Sequence, residues 1–336
     1  MKDIPGELYE RPWRNFEHNR NEALEYARGK GDYILIMDAD DHLEFEPNFK
    51  LPQMDSGSYR LWIKYGGTSY QRHQIINATM PWRWVGVLHE VLNCDVPFSS
   101  EVMDGVKIIV GTDGARSRDP KKYEKDALVL EEALKDEPEN TRYMFYLAQS
   151  YRDARNYEKA VEWYLKRIAK GGWEEEVYWS MVQVGLLERE LGRSDELVMD
   201  SFLSAYRRRP HRPESVMYLA EIYRKQGRYD MAYSMIKLWQ IMPKPTTQDV
   251  LFVQEWMEQY GLLFELSISA YYVGQYQESL AACDQLLAMK DLPTGLREQT
   301  SGNRRFPVQK LLEQRKSTEQ LSLAEPEEPS NEAAAA

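Results

Sequence analysis

The sequence predicts an α/β domain followed by an all-α helical solenoid. Three observations in the 336 residues support this division. A short apolar run leads directly into a cluster of acidic residues, and alternating, strand-like segments follow it. From Pro120 onward the pattern is helical and repeats at a regular spacing. The polar run at residues 111–119 between the two parts is the predicted domain boundary.

The overall composition excludes some classes of function. The 43 basic and 54 acidic residues give a formal net charge of −11, which argues against nucleic-acid binding because phosphate backbones attract cationic surfaces. Cys94 and Cys283 lie far apart in no metal-binding or redox spacing, which favours a reducing compartment. No apolar run approaches the roughly 18 residues of a membrane helix, and the first residues do not form a signal peptide. We therefore expect a cytoplasmic protein without a membrane span.

The first part is organised around the apolar run at residues 33–37, which leads into Asp38-Ala39-Asp40-Asp41. Five consecutive apolar residues predict a strand that is buried on both faces, as in the middle of a parallel sheet. The acids would then lie at the sheet edge where α/β proteins bind ligands, suited to a cation and the phosphates it bridges. The alternative is a solvated turn or helix cap.

The flanking elements follow from local signals. Residues 15–29 predict an amphipathic helix, with Asn15 as its cap and Gly29 as its stop. Residues 58–76 alternate in polarity around Gly66-Gly67, which predicts a β-hairpin. A last strand is predicted at residues 106–110.

Residues 81–90 read Pro-Trp-Arg-Trp-Val-Gly-Val-Leu-His-Glu. Aromatic residues beside a glycine, followed by an imidazole and a carboxylate, are typical of a sugar or base platform next to an acid/base or metal group. The alternative is a core tryptophan pair with a surface His-Glu. In a strand His89 and Glu90 would point to opposite faces, unless the strand ends or bulges there.

The second part contains four copies of a helix-pair pattern. The copies start at Leu147, Val184, Leu219 and Leu266. The resulting steps of 37, 35 and 47 residues are close to a tetratricopeptide repeat, with an insertion before the last copy. Small residues recur where paired helices would touch; they are Ala148, Ala160, Ala220 and Ala232. Such a solenoid is a surface for peptides or proteins, or else a structural or dimerising arm.

The predicted domains follow from these patterns. Residues 1–115 form the α/β domain and residues 119–292 the helical repeats. Residues 293–315 are predicted to be a helical extension. Residues 316–336, rich in Ser, Glu, Pro and Ala, are predicted to be a disordered tail.

Three stretches of the first part are characteristic when taken together: Trp13-x-x-Phe16-x-x-Asn19-Arg20-x-x-Ala23-Leu24, the strand into Asp38-Ala39-Asp40-Asp41, and Trp84-x-Gly86-x-x-His89-Glu90. In combination they resemble the family 2 glycosyltransferases, and more narrowly the bacterial subgroup that carries tetratricopeptide repeats after its catalytic domain. The resemblance implies a GT-A fold with a Rossmann-like sheet, which binds a nucleotide-sugar donor, most readily a UDP-sugar, and a divalent cation, Mn²⁺ or Mg²⁺.

The resemblance also implies roles for five residues. Asp40 would be the metal carboxylate, with His89 as a metal or phosphate ligand. Asp38 would contact the donor ribose or the metal, and Arg20 the nucleotide. Glu90 would be the base that deprotonates the acceptor, which could be a protein, a peptide or a glycan.

The sequence departs from the family at its start. The opening strand–helix–strand unit of GT-A enzymes, with its Val-Lys-Asn/Asp-Glu and Asp-x-Gly-Ser-x-Asp-Gly motifs, is absent, so we expect a partial GT-A domain. The predicted function is an inverting, metal-dependent glycosyltransferase whose repeats recognise the acceptor or a protein partner. The alternative is a truncated, catalytically inactive protein that acts as a protein-binding scaffold. A hydrolase that uses the acids on Mg²⁺ is a third reading.

Overall fold

A computed structural model describes residues 6–66, 68–111, 119–246 and 249–324. The chain divides into two compact units. The first unit comprises Met1–Ser201 together with Thr246–Val253, and the second comprises Phe202–Pro245 together with Gln254–Ala336.

The first unit begins with helix α1, Phe16–Ala27, and seven strands. The strands are β1 Tyr33–Leu35, β2 His42–Phe45, β3 Ser58–Tyr65, β4 Thr68–Asn77, β5 Trp82–Val85, β6 Val91–Cys94 and β7 Ser100–Ile109. Five of them form a sheet in the order β1-β4-β3-β7-β2, and β5 pairs with β6. The β3–β7 pair is parallel and the other described pairs are antiparallel.

The predicted helix cap and the predicted hairpin of this region are confirmed. The Asn15 side chain accepts a hydrogen bond from the backbone N–H of His18 at 2.7 Å and caps α1. Strands β3 and β4 form the predicted hairpin, with Tyr65 opposite Thr68. The last strand, predicted at residues 106–110, is longer in the structure, where β7 runs from Ser100 to Ile109.

The predicted central, parallel placement of the first strand is wrong, and the described strands form a mixed sheet that does not confirm the Rossmann-like arrangement. β1 is a three-residue strand that pairs with β4 alone among the described strands, in antiparallel register. The apolar residues of this run pack against two different clusters. Ile34 packs with Leu24 and Trp84 in one cluster, whereas Tyr33 packs with the Tyr59 cluster. These contacts bury the run only in part: Leu35 is 46% exposed, so the predicted burial on both faces is wrong as well.

The remaining elements are helical. They are α2 Lys122–Asp136, α3 Thr141–Asp153, α4 Tyr157–Lys170, α5 Glu174–Glu190, α6 Asp195–Arg208, α7 Pro213–Lys225, α8 Tyr229–Ile241, a π-helical turn at Met257–Gly261, α9 Leu262–Tyr272, α10 Tyr276–Ala288 and α11 Thr294–Ala324. In the first unit α2, α3, α4 and α5 pack in succession, and in the second unit α7 to α11 do the same.

The four small residues singled out in the repeats, Ala148, Ala160, Ala220 and Ala232, are all fully buried. Close helix packing at these positions is what the repeat pattern predicts. The insertion before the last copy lies between α8 and α9.

The end of the helical part differs from the prediction. Helix α11 continues to Ala324, past the start of the predicted disordered tail at residue 316. Residues 316–324 contain no glycine or proline, so no residue in that stretch interrupts the helix. The remainder of the predicted tail, residues 325–336, lies outside the described residues, as do residues 112–118 of the predicted boundary.

Candidate functional site

Helix α1 contacts strand β5 and the residue that follows it. The Asn21 side chain bonds both backbone groups of Trp84: its amide donates to the carbonyl at 2.9 Å, and its oxygen accepts from the N–H at 2.7 Å. Glu17 accepts a hydrogen bond from the N–H of Gly86 at 3.2 Å. Polar side chains of α1 therefore fix the backbone that leads to His89 and Glu90.

Arg20 joins two of the predicted site residues. Its Nη2 lies 2.7 Å from Asp38 Oδ1, and its Nε forms an ion pair with Glu90. The guanidinium carbon lies 4.9 Å from the centre of the Trp84 ring, a cation–π contact. The Glu90 side chain is only 8% exposed. The structure thus places the three residues, separated by 70 positions in sequence, in one cluster.

This cluster has a definite charge arrangement. Two carboxylates converge on one guanidinium, and a nearly buried carboxylate such as Glu90 is stable only when it is paired. To act as a base toward an acceptor, Glu90 would first have to give up its ion pair with Arg20. Trp82 and Trp84 are buried, with 1% and 4% exposure. They are therefore a core tryptophan pair, and the prediction that they form a sugar or base platform is wrong.

The predicted metal ligand Asp40 lies in a tightly packed turn. The N–H of Asp41 donates to the Asp38 carbonyl at 3.1 Å, and the N–H of Gly111 donates to the Asp41 side chain at 3.4 Å. Burial raises the pKa of the Asp41 carboxyl. A side chain at Gly111 would place its Cβ 1.9 Å from the Asp40 carbonyl oxygen. The acidic turn and Gly111 therefore fit together only because residue 111 is glycine.

The other predicted metal ligand, His89, contacts the first repeat. Strand β5 ends at Val85, and His89 has a φ of 52°, so the predicted strand does not reach this pair. The His89 ring stacks on Tyr146 of α3, with centroids 4.0 Å apart. Arg142 donates two hydrogen bonds to the His89 carbonyl, at 3.2 and 2.8 Å. The environment of His89 is thus that of a residue packed against α3.

A metal centre built from protein side chains does not fit this arrangement. Within the described part of the chain, no group of three or more His, Cys, Asp or Glu side chains is placed to hold a metal ion. A hard cation such as Mg²⁺ or Mn²⁺ prefers several oxygen ligands, and Asp38 already binds Arg20.

A second candidate site was not predicted and lies on α3 and α5. Residues 249–253 of the insertion contact helices that precede them by more than 70 positions. One oxygen of the Glu175 carboxylate accepts hydrogen bonds from the backbone N–H groups of Val250 and Leu251, at 2.8 and 2.7 Å. The Phe252 ring lies 5.5 Å from the Trp179 ring and 6.5 Å from the Phe145 ring, centroid to centroid. The sequence signal for this segment is the 47-residue step before the last copy.

A cavity of about 620 Å³ lies between residues 6–11 and α1. None of the five predicted site residues lines it.

None of the described helices is both long and apolar enough to cross a membrane.

Two models of the tetratricopeptide repeat family match the chain, at residues 126–172 and 219–241. No curated protein matches it. Among solved structures, the C-terminal part of a repeat-containing protein from Cytophaga hutchinsonii is 16% identical, with a TM-score of 0.39 over 51% of this chain and 61% of that one. The match therefore spans less than two thirds of that solved chain.

Two further structures are similar. A tetratricopeptide repeat protein from Parabacteroides merdae is 15% identical, with a TM-score of 0.42 over 61% of this chain and 75% of that one. YrrB, described as a repeat protein with an unusual peptide-binding site, is 12% identical, with a TM-score of 0.40 over 54% of this chain and 84% of that one. Likenesses at this level carry no functional conclusion. The family matches and the helix pairs together show that the chain contains tetratricopeptide repeats.

Proposed function

We propose that the chain is a protein-binding scaffold whose tetratricopeptide repeats bind a polypeptide partner. The observation that carries this proposal is the docking of residues 249–253 on α3 and α5 through backbone amides and one aromatic ring. Recognition of an irregular segment by a helical surface is the interaction that a scaffold would use toward a partner.

Selection of random peptides displayed on phage tests this function. Peptides selected on the full chain should be enriched over a resin control and should bind the purified protein in solution with micromolar dissociation constants. Failure to enrich any peptide on the chain, including on variants in which the docked segment is weakened, would refute the scaffold function.

A second candidate is a nucleotide-sugar transferase, favoured by the contacts of Arg20 with Asp38 and Glu90. These are three of the residues that the family resemblance assigns to donor binding and catalysis. In an inverting transfer the acceptor hydroxyl attacks the anomeric carbon, the bond to the nucleotide diphosphate breaks, and a carboxylate takes the hydroxyl proton. Arg20 would then have to exchange a carboxylate for a donor phosphate, which would release Glu90 as the base.

Calorimetry with UDP and Mn²⁺ tests this candidate. A bound cation would stabilise the diphosphate charge, with donor oxygens completing its ligands beside Asp40. Donor binding should therefore disappear in EDTA and in Asp40→Asn. Glu90→Gln should keep UDP affinity and lose most sugar transfer, because the proton it takes belongs to the acceptor. Absence of UDP binding to the parent chain would exclude the transferase.

A further inference from the structure

The proposal that follows rests on the scaffold function and identifies its binding site. We propose that Phe145 of α3, with Glu175 and Trp179 of α5, forms a peptide-binding site that residues 249–253 occupy as an intramolecular ligand. An external peptide with two successive free backbone amides followed by an aromatic residue competes with this segment.

Glu175 recognises the backbone of the ligand. The residue is 9% exposed, and one of its oxygens accepts both N–H groups, from Val250 and Leu251. Hydrogen bonds to an ionised carboxylate are stronger than those to a neutral acceptor. Because the contact is made to amides, it accepts any side chain at these two positions but excludes proline, which has no N–H.

The two aromatic rings recognise the side chain that follows. The Phe252 ring contacts both Trp179 and Phe145, at centroid distances of 5.5 and 6.5 Å. Separations of about 4.5 to 7 Å are those at which aromatic rings attract one another. Phe252 also has a φ of 48°, a left-handed conformation that non-glycine residues adopt only when surrounding contacts hold it. The aromatic residue is therefore the specificity element of the ligand.

One polar group of Trp179 has no partner among the described residues. The Nε1 of Trp179 is buried and has no hydrogen-bond partner in the described part of the chain. An external peptide that offers an acceptor to this indole would gain a hydrogen bond that the intramolecular ligand does not make.

Tethering determines how the site responds to an external peptide. The docked segment belongs to the first unit, while the residues on both sides of it belong to the second. A tethered ligand acts at an effective concentration in the millimolar range. An external peptide occupies the site only when it outcompetes the tethered segment. The parent chain should therefore bind the peptide weakly, and a chain with a weakened segment should bind it tightly.

The probe for the test is a fluorescein-labelled peptide with the sequence of residues 246–255, titrated with the full-length protein. The parent should bind it weakly, and Phe252→Ala in the chain should bind it at least tenfold more tightly. Phe306→Ala, which truncates an exposed phenylalanine of α11, is the matched control and should behave as the parent. Adding Glu175→Gln to Phe252→Ala should weaken the probe about tenfold, because the charged acceptor is lost.

Changes in the probe avoid any effect on folding of the chain. A probe with alanine in place of its phenylalanine, or with proline in place of its leucine, should not bind the Phe252→Ala chain. In the parent, excess unlabelled probe should increase amide hydrogen exchange at residues 249–253, because it displaces them. Equal binding of all three probes, or no gain from Phe252→Ala together with unchanged exchange, would overturn the proposal.

The outcomes separate this inference from the scaffold function. If phage-selected peptides bind the chain but neither compete with the probe nor respond to Phe252→Ala, the scaffold function stands and this site is wrong. If the probe binds as described but no selected peptide does, the site serves residues 249–253 alone, and the scaffold function fails together with the binding of an external partner at this site.

Discussion

Replacing Arg20 by methionine tests the charge cluster that joins α1 to the acidic turn and to Glu90. Methionine keeps an unbranched apolar stem like that of arginine, but it lacks the guanidinium and so removes both ion pairs and the cation–π contact with Trp84. The main consequence is that the Glu90 carboxylate, 8% exposed, stays buried without its cation.

Loss of one partner from a buried pair costs about 3 to 5 kcal/mol. Here Arg20 is 22% exposed and Asp38 is 43% exposed, so solvent screens part of the interaction, and we expect about 2 to 3 kcal/mol. Glu90→Gln alone should cost about 1 kcal/mol, because the amide keeps the shape and Arg20 retains Asp38. In the double variant the methionine no longer strands a charge, so a coupling energy of about 1 to 2 kcal/mol is expected.

Hydrogen exchange measured on peptides from α1 and from β5–β6 gives the local free energy of opening for each variant. Arg11→Met is the matched control, because Arg11 pairs with Glu22 on the surface, where its side chain is 52% exposed, and should have little effect. Equal effects of the two methionine variants, or losses in the double variant that equal the sum of the single losses, would refute the described pairing of Arg20 and Glu90.

Three further predictions address other parts of the structure. Gly111→Ala should lower the melting temperature, because its methyl group would lie 1.9 Å from the Asp40 carbonyl oxygen; an unchanged melting temperature would contradict that approach. Burial raises the pKa of Glu188 above its ordinary value of 4.5, so folding is favoured below that value and loses stability as pH rises through the folded pKa. Glu188→Gln should reduce this loss in melts from pH 4.5 to neutrality, and identical pH profiles would argue against it. Residues 1–115 alone should show no cooperative melt by circular dichroism, whereas residues 119–290 should, because the repeats have their own core; a cooperative transition in the first fragment would count against this.

The elements that were predictable from sequence are those whose signals are local. Alternation around Gly66-Gly67 predicts a hairpin, and Asn15 before an apolar face predicts a helix start; both are confirmed. The place of β1 in the sheet was not predictable in the same way. The apolar run predicted burial on both faces, whereas Leu35 is 46% exposed, because the neighbours of a strand depend on pairing with distant residues.

The candidate site was predictable only in part for the same reason. The structure brings Arg20, Asp38 and Glu90 together, and the roles that the family resemblance implies for them stay predictions. His89 and Glu90 are adjacent in sequence and looked like a pair. Backbone at His89 turns to a φ of 52°, so its ring stacks on Tyr146 of α3 while Glu90 contacts Arg20.

The docked insertion had no local signal beyond its length, because the groups that hold it are backbone amides that every residue except proline carries. Its energetics also explain why it can be exchanged. Docking gains two charge-assisted hydrogen bonds at Glu175, but it removes water from that carboxylate and holds Phe252 at a φ of 48°, and both changes oppose it. When the segment leaves, the carboxylate regains water. These costs reduce the net free energy of docking, so a peptide with a better-fitting aromatic residue is expected to take the place of the segment without unfolding the helices that form the site.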